Sequence, residues 1–527
     1  MNQVHVSSAA IAMNRFGLGA QAGQQPPAQA AHWLREQLDA TSAQATPAVW
    51  ASQPMTPELA EQVVGFRRTL QQLDGKPNDA ANGKQSGKQS DASSGTVGSA
   101  VNAVPANDDQ VKALKVALRQ QYNDTMRDVY RDAVDARLLG ALTTSTPFIE
   151  RLVYFWANHF AVSVEKQPVA LFAGAFEVEA IRPHVLGRFD DMLVAVEQHP
   201  AMLFFLDQNG SIGPDSPVAE RAEARAQRND LGNQAVNKPA RKIGLNENLA
   251  RETMELHTLG VRSGYTQDDV TEFARTLTGW SVGGLNPNIN AALQRNKGAG
   301  AAAAPITPGQ FVFRPQVHEP GVRTIMGKQY PQPGENQGLA ALGTFARSPA
   351  TARHIAGKLA VHFVSDNPPP ALINQLAKAF QESDGDLPTV YRALIDAPEA
   401  WQPVNAKFKT PWDWTVSSMR GLGMTQLGKI HAGPVLTQLG QPIWRPGSPA
   451  GYDDIAASWA APDALVRRVE FAQRLASSVG DRIDARTLGP QLFAGSLSED
   501  TRNQVARAES AQDALALLLV SPDFLRR

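Results

Sequence analysis

Apolar residues recur at every third or fourth position over most of the chain, the spacing that lines one face of an α-helix. Read with its capping signals, that periodicity predicts helical blocks at about 7–20, 27–40, 56–72, 109–141, 147–162, 170–181, 189–206, 245–260, 267–280, 336–346, 349–364, 371–382, 387–395, 409–422, 462–478 and 510–519. The pattern lapses in three places. Residues 72–108 are rich in Gly, Ser, Asn and Lys and bury too little to offset the entropy of ordering. Residues 209–238 are polar, with a short helix expected at Ala219–Arg228, and 286–308 contain the tract AGAAAAP. All three read as insertions. Strand character is confined to FVFRP (311–315) and RTIMG (323–327), which flank QVHEPGV in the profile of a hairpin with a Pro-Gly turn. The expected fold class is all-α: a large multi-helix body, one helical domain over 1–527, with one short β-hairpin and long disordered insertions.

Three of these helices depart from the apolar pattern in the same way. In NENLARETMELHTLG (246–260), Leu245, Leu249, Leu256 and Leu259 form a stripe, and Glu252 falls at its centre. In TPFIERLVYFWANHFAVS, Thr146 and Pro147 open a helix whose face carries Phe148, Leu152, Phe155 and Val162; His159 sits mid-face and Asn158 on its flank. In PATARHIAGKLAVHFVSD, His362 continues the stripe of Ile355 and Leu359, with Lys358 along its border. An isolated buried charge costs several kcal/mol, so the simplest expectation is that His159, Glu252 and His362 meet one another or a shared ligand. The plainer alternatives are core histidines bonded to backbone carbonyls, and a Glu252 salt bridge to Arg353, Arg137 or Arg275.

Neighbouring residues extend the picture. Asn248 and Glu255 flank Glu252 on one side, whereas His257 projects away from the stripe. Glu247 and Arg251 make an ordinary i,i+4 pair, Gly260 ends the helix, and Thr266 with Asp269 forms a capping box for the next one. Trp280 closes that next helix. His318 and Glu319, in the ribbon turn, pair a loop histidine with an acid, and a plain solvated turn is the reading preferred for them.

Composition narrows the classes. Lys plus Arg is 50 against Asp plus Glu at 51, which leaves no electrostatic footprint for nucleic acid or an anionic membrane. The chain has no cysteine, so disulfides, zinc–thiolate sites and thiol catalysis are excluded. No stretch approaches the roughly 18 apolar residues of a membrane span, and the N-terminus shows no export segment. As written the chain reads as cytoplasmic, with the periplasm or secretion as the alternative.

TPFIERLVYFWANHFAVS, NENLARETMELHTLGVRSGYTQDDVTEFARTLTGW, HEPGVRTIMG, ARHIAGKLAVHFVSDNPP, FKTPWDWTVSSMRGLG, LGQPIWRPGSPAGYDD and SPDFLRR together resemble the bacterial family called domain of unknown function 1800. The likeness runs from NRFGLGA to the last residue. It implies a predominantly helical protein, frequent export, and a secreted sulfatase- or alkaline-phosphatase-like protein as companion and partner. It implies no particular reaction.

Two functional classes follow. In the first, a metal-assisted hydrolase or acid–base enzyme, His159, His362 and Glu252 hold a divalent metal such as iron, manganese or zinc. Glu252, Glu255 and His159 then carry the chemistry, and Asn158, Asn248, Lys358 and His318 contact the ligand. In the second, a non-catalytic helical scaffold binds its partner through PWDW (411–414) and GQPIWRPGSPAGY (440–452).

Overall fold

A computed structural model describes residues 6–41, 46–74, 108–230, 244–285, 306–404 and 406–527. The expected insertion at 72–108 therefore lies almost wholly outside the described residues, as does most of 286–308. Within 209–238 the expected helix is present and longer, at Pro217–Asp230.

Pro147–His159 runs through the middle of the molecule and is buried on every side except at Asn158. A helix so placed has no solvent face, and its polar residues must be satisfied internally. Glu150 accepts from Arg182 at 2.7 Å and from Tyr154, and Arg151 donates to Asp413 at 3.0 Å. The Trp156 indole donates to the Tyr391 hydroxyl at 2.7 Å. Around this axis the buried apolar side chains form one contiguous cluster reaching from Val6 to Phe524. Among the described residues no helix is long and apolar enough to cross a membrane.

Local chemistry explains where the elements differ from the periodicity. The block at 189–206 is two helices, Phe189–Gln198 and Pro200–Phe205. Pro200 bars its predecessor from the helical region, and His199 is extended there, its ring accepting from the Ala201 amide. The 7–20 and 170–181 blocks each pass into a single π-turn, at Ala12–Phe16 and Glu177–Ile181. Helices at Ala432–Gln438, Ala485–Leu492 and Glu499–Ala506 are too short to show a clear period in the sequence.

The expected hairpin is wrong. Four strands, β1 (Trp280–Val282), β2 (Phe311–Phe313), β3 (Arg323–Ile325) and β4 (Lys328–Tyr330), make two separate antiparallel pairs, β1 with β2 and β3 with β4. The helix before them stops at Leu277, so Trp280 begins a strand instead of closing a helix. Nor is His318–Glu319 a solvated turn. Glu319 is fully buried; its carboxylate accepts from Arg275 at 2.7 Å and from the Asp215 amide at 2.9 Å, and its own amide donates to Thr278. That anchor stops 314–322 from folding back. The tight turn instead falls at Met326 and Gly327, both at positive φ, 50° and 77°, as a two-residue hairpin loop requires.

Candidate functional site

A cavity of about 570 Å³ opens at the C-terminal end of the central helix. This size is ordinary for a small-molecule site. Its walls come from five places: Arg137, Tyr154 to Val162, one face of the Pro349–Phe363 helix, the start of the Pro411–Gly421 helix, and the segment 441–454. Phe155, Trp412, Trp444 and Tyr452 contribute aromatic rings, beside a comparable number of polar side chains. PWDW and GQPIWRPGSPAGY thus contribute to the cavity and its rim; Trp412, Trp414 and Trp444 are buried, so these three rings are not themselves an exposed surface.

The Pro349–Phe363 helix starts cleanly, with Ser348 accepting from the Ala350 amide and Pro349 in the first turn. Ile355 and Leu359 are wholly buried in the core. His354, Lys358 and His362, each one turn from the next, line the cavity beside that stripe.

His362 is held by a carboxylate. Its Nδ1–H donates to Asp454, which also faces Lys407 at 3.4 Å, and the Lys407 ammonium sits 2.7 Å from Asp366. Burial alone would raise the Asp454 carboxyl, but His362, Lys407 and Arg527 outweigh it and hold it well below the usual carboxylate range. Burial also lowers the His362 imidazole, against the pull of Asp454, and keeps it neutral near pH 7. With Nδ1 carrying the proton, Nε2 is left as a bare lone pair, buried and without a hydrogen-bond partner among the described residues. The Arg527 side chain braces this arrangement from behind, donating to the His362 carbonyl at 2.9 Å and to Asp413 at 3.0 Å.

Lys358 has no hydrogen bond or ion pair among the described residues. Burial pulls its ammonium down to about 8, opposed only by Asp454. His159 and His354 are different: each Nε2–H donates to a backbone carbonyl, of His257 at 3.1 Å and of Leu256 at 3.0 Å. A carbonyl only accepts, so both rings are fixed as the Nε2–H form. Burial and the nearby Lys358 charge push His354 down to about 4 and His159 well below its ordinary value. The carbonyl-bonded reading of His159 is therefore the right one for Nε2, while its Nδ1 remains buried and unpartnered.

Asn158 sets the loop. Its amide donates to the Tyr452 carbonyl at 2.8 Å and accepts from the Tyr452 amide at 2.7 Å, pairing with backbone as a strand would. Two residues on, Asp454 is thereby presented to His362.

The chain belongs to the DUF1800 family. The family model described as "Protein of unknown function (DUF1800)" matches residues 11–526. Neither the curated proteins nor the solved structures contain a match to it.

In this DUF1800 member the cavity gathers His159, His362, Asn158 and Lys358, and leaves out Glu252, Glu255, Asn248 and His318. Asn248 is exposed, and His318 is tied to the Thr278 carbonyl at 2.8 Å. Glu252 fails for a helical reason. The helix is regular only over Asn248–Glu252 and then passes through a π-turn, Thr253–His257. A π-turn inserts an extra residue and rotates everything after it, so the 100° projection breaks down. Glu252 ends half-buried, its carboxyl raised by that burial, and His257 turns inward to Glu197 at 2.7 Å, both residues 1% exposed. Among the described residues no three His, Asp or Glu side chains are grouped to hold a metal ion, and His159, His362 and Glu252 do not make the expected centre. Asp454 and His354 were the residues sequence reasoning passed over, and His257 was expected to point away; the GYDD stretch at 451–454 was the available signal for Asp454.

Proposed function

We propose that this protein is an acid–base enzyme acting on a small molecule held in this cavity. His362 is the base, Asp454 orients it, and Lys358 supplies a second proton-bearing group one helical turn away. The observation that carries this reading is the His362–Asp454 contact. It fixes the ring tautomer and leaves Nε2 without a hydrogen-bond partner, on a ring that lines a cavity large enough for a substrate. A general base needs a bare lone pair within reach of a bound molecule, and a carboxylate behind the ring stabilises the imidazolium formed when it takes a proton. The two-histidine, one-glutamate metal centre has no such geometric support.

The test is turnover of a mixture of candidate substrates. Purified protein is incubated with a mixed small-molecule extract, and mass spectrometry follows which species are depleted. Wild type should consume at least one species that His362→Gln leaves untouched. Equal depletion by a folded His362→Gln protein, or none by either, overturns the proposal.

A further inference from the structure

Lys358 is the one cavity-lining ammonium with neither an ion pair nor a hydrogen bond among the described residues. Arg137 is committed to Glu177 at 2.8 Å, and Arg353 is exposed and directed to Asn374. Lys358 lies between His354 and His362 on its helix, in a cavity lined by both apolar and polar side chains, and Asp454 is the one opposing charge that acts on it. Asp454 is already occupied by His362 and Lys407. An unpartnered lysine drawn out of water is costly to keep charged, and its neutral primary amine is a nucleophile toward carbonyl carbon.

We infer that the cavity takes an aldehyde or ketone bearing a hydrogen on the carbon next to the carbonyl, and that Lys358 captures it as an imine. This rests on the acid–base reading above and names its substrate class. The Lys358 nitrogen lone pair forms a bond to the carbonyl carbon, and the π pair moves to oxygen, which takes up a proton. The carbinolamine then loses water, with the nitrogen giving up its hydrogen, so amine plus carbonyl compound yields imine plus water with no change of oxidation state. The protonated imine draws electrons from the adjacent C–H bond. His362 Nε2 takes that proton, leaving an enamine that is reprotonated at carbon and then hydrolysed back to the carbonyl compound and free Lys358.

The experiment uses the full chain with butanal as probe, at pH 7.5, in deuterated buffer. One portion is quenched with sodium borohydride and mapped by peptide mass spectrometry. Another is followed by NMR for deuterium entering the carbon next to the carbonyl. Surface lysines Lys112 and Lys378, with side chains 75% and 73% exposed, are internal references. A lysine whose ammonium is drawn down to about 8 holds on the order of a hundredfold more free amine at this pH than one at its ordinary value. Allowing for lower intrinsic nucleophilicity, reductive butylation of Lys358 should run at least about tenfold faster than at either reference. Labelling of Lys358 no faster than theirs overturns the inference. If it fails while His362-dependent depletion of small molecules persists, the imine is wrong and the acid–base reading stands. Trapping at Lys358 in wild type and His362→Gln alike, with deuterium entry lost only in the variant, supports both. Trapping with deuterium entry unaffected by His362→Gln keeps the imine and removes His362 as its base.

Discussion

Replacing Gly451 with alanine tests whether the Asn158 clamp presents Asp454 to His362. Gly451 has φ +82°, a left-handed conformation that costs an L-residue about 1–2 kcal/mol. The new Cβ would also lie 2.3 Å from the Asn158 carbonyl oxygen and 2.8 Å from its Oδ1. No Cβ survives such contacts, and the obstruction is mainly backbone of the buried central helix, so the loop must move. Moving it breaks the two Asn158–Tyr452 hydrogen bonds, each worth about 1 kcal/mol net. The expected loss is about 3–4 kcal/mol in urea denaturation, with faster hydrogen exchange at the Tyr452 amide. Gly447→Ala is the control within the same loop: a Cβ there meets nothing within 4 Å, and stability should hold within about 0.5 kcal/mol. A Gly451→Ala protein as stable as the control, with Tyr452 equally protected, refutes the clamp.

Asp413→Ala strands Arg151 and Arg527, each 3.0 Å from its carboxylate, and should cost about 3–5 kcal/mol by thermal or chemical denaturation; a smaller change means that water reaches the pair. Burial holds His354 at about 4 against an ordinary 6.5, so the unfolded chain binds the extra proton between those values. Stability should therefore fall as pH drops through that window, by up to about 1.4 kcal/mol per pH unit from this residue, and His354→Gln should flatten the slope measured by urea titration. Glu252→Gln should change stability by less than about 1 kcal/mol, since that carboxylate has no partner among the described residues, whereas Glu197→Ala loses the bonds to His257 and Thr253 and should cost about 2–4 kcal/mol. The reverse ranking would mean that the π-turn is absent in solution.

The helical architecture was legible because amphipathic periodicity and capping chemistry are local. Thr266 and Asp269 form the expected capping box, and Gly260 sits at φ +86° where the helix ends. Half of the site was legible for the same reason: His159, His362 and Lys358 stand where stripe projection put them. What projection cannot see is a change of helical pitch. The π-turn after Glu252 exchanged the places of Glu252 and His257, and no propensity marks the insertion of one residue into a turn. Long-range pairing was equally hidden. His362 and Asp454 are separated by 92 positions, and the loop that joins them is held by backbone contacts to Asn158. The strand pairing failed because β1 lies on the far side of the 286–305 stretch, out of reach of any local turn rule.

The account rests on His362 being a neutral ring with its proton on Nδ1 and a free Nε2. Nitrogen-15 NMR of histidine-labelled protein reads that directly, with His362→Gln to assign the signal. The account predicts at pH 7 a protonated Nδ1, shifted by its hydrogen bond, and an unprotonated Nε2. It also predicts that Asp454→Asn disturbs this ring and leaves the His159 and His354 signals in their Nε2–H form. A His362 ring that is Nε2–H, or already doubly protonated at pH 7, would contradict it.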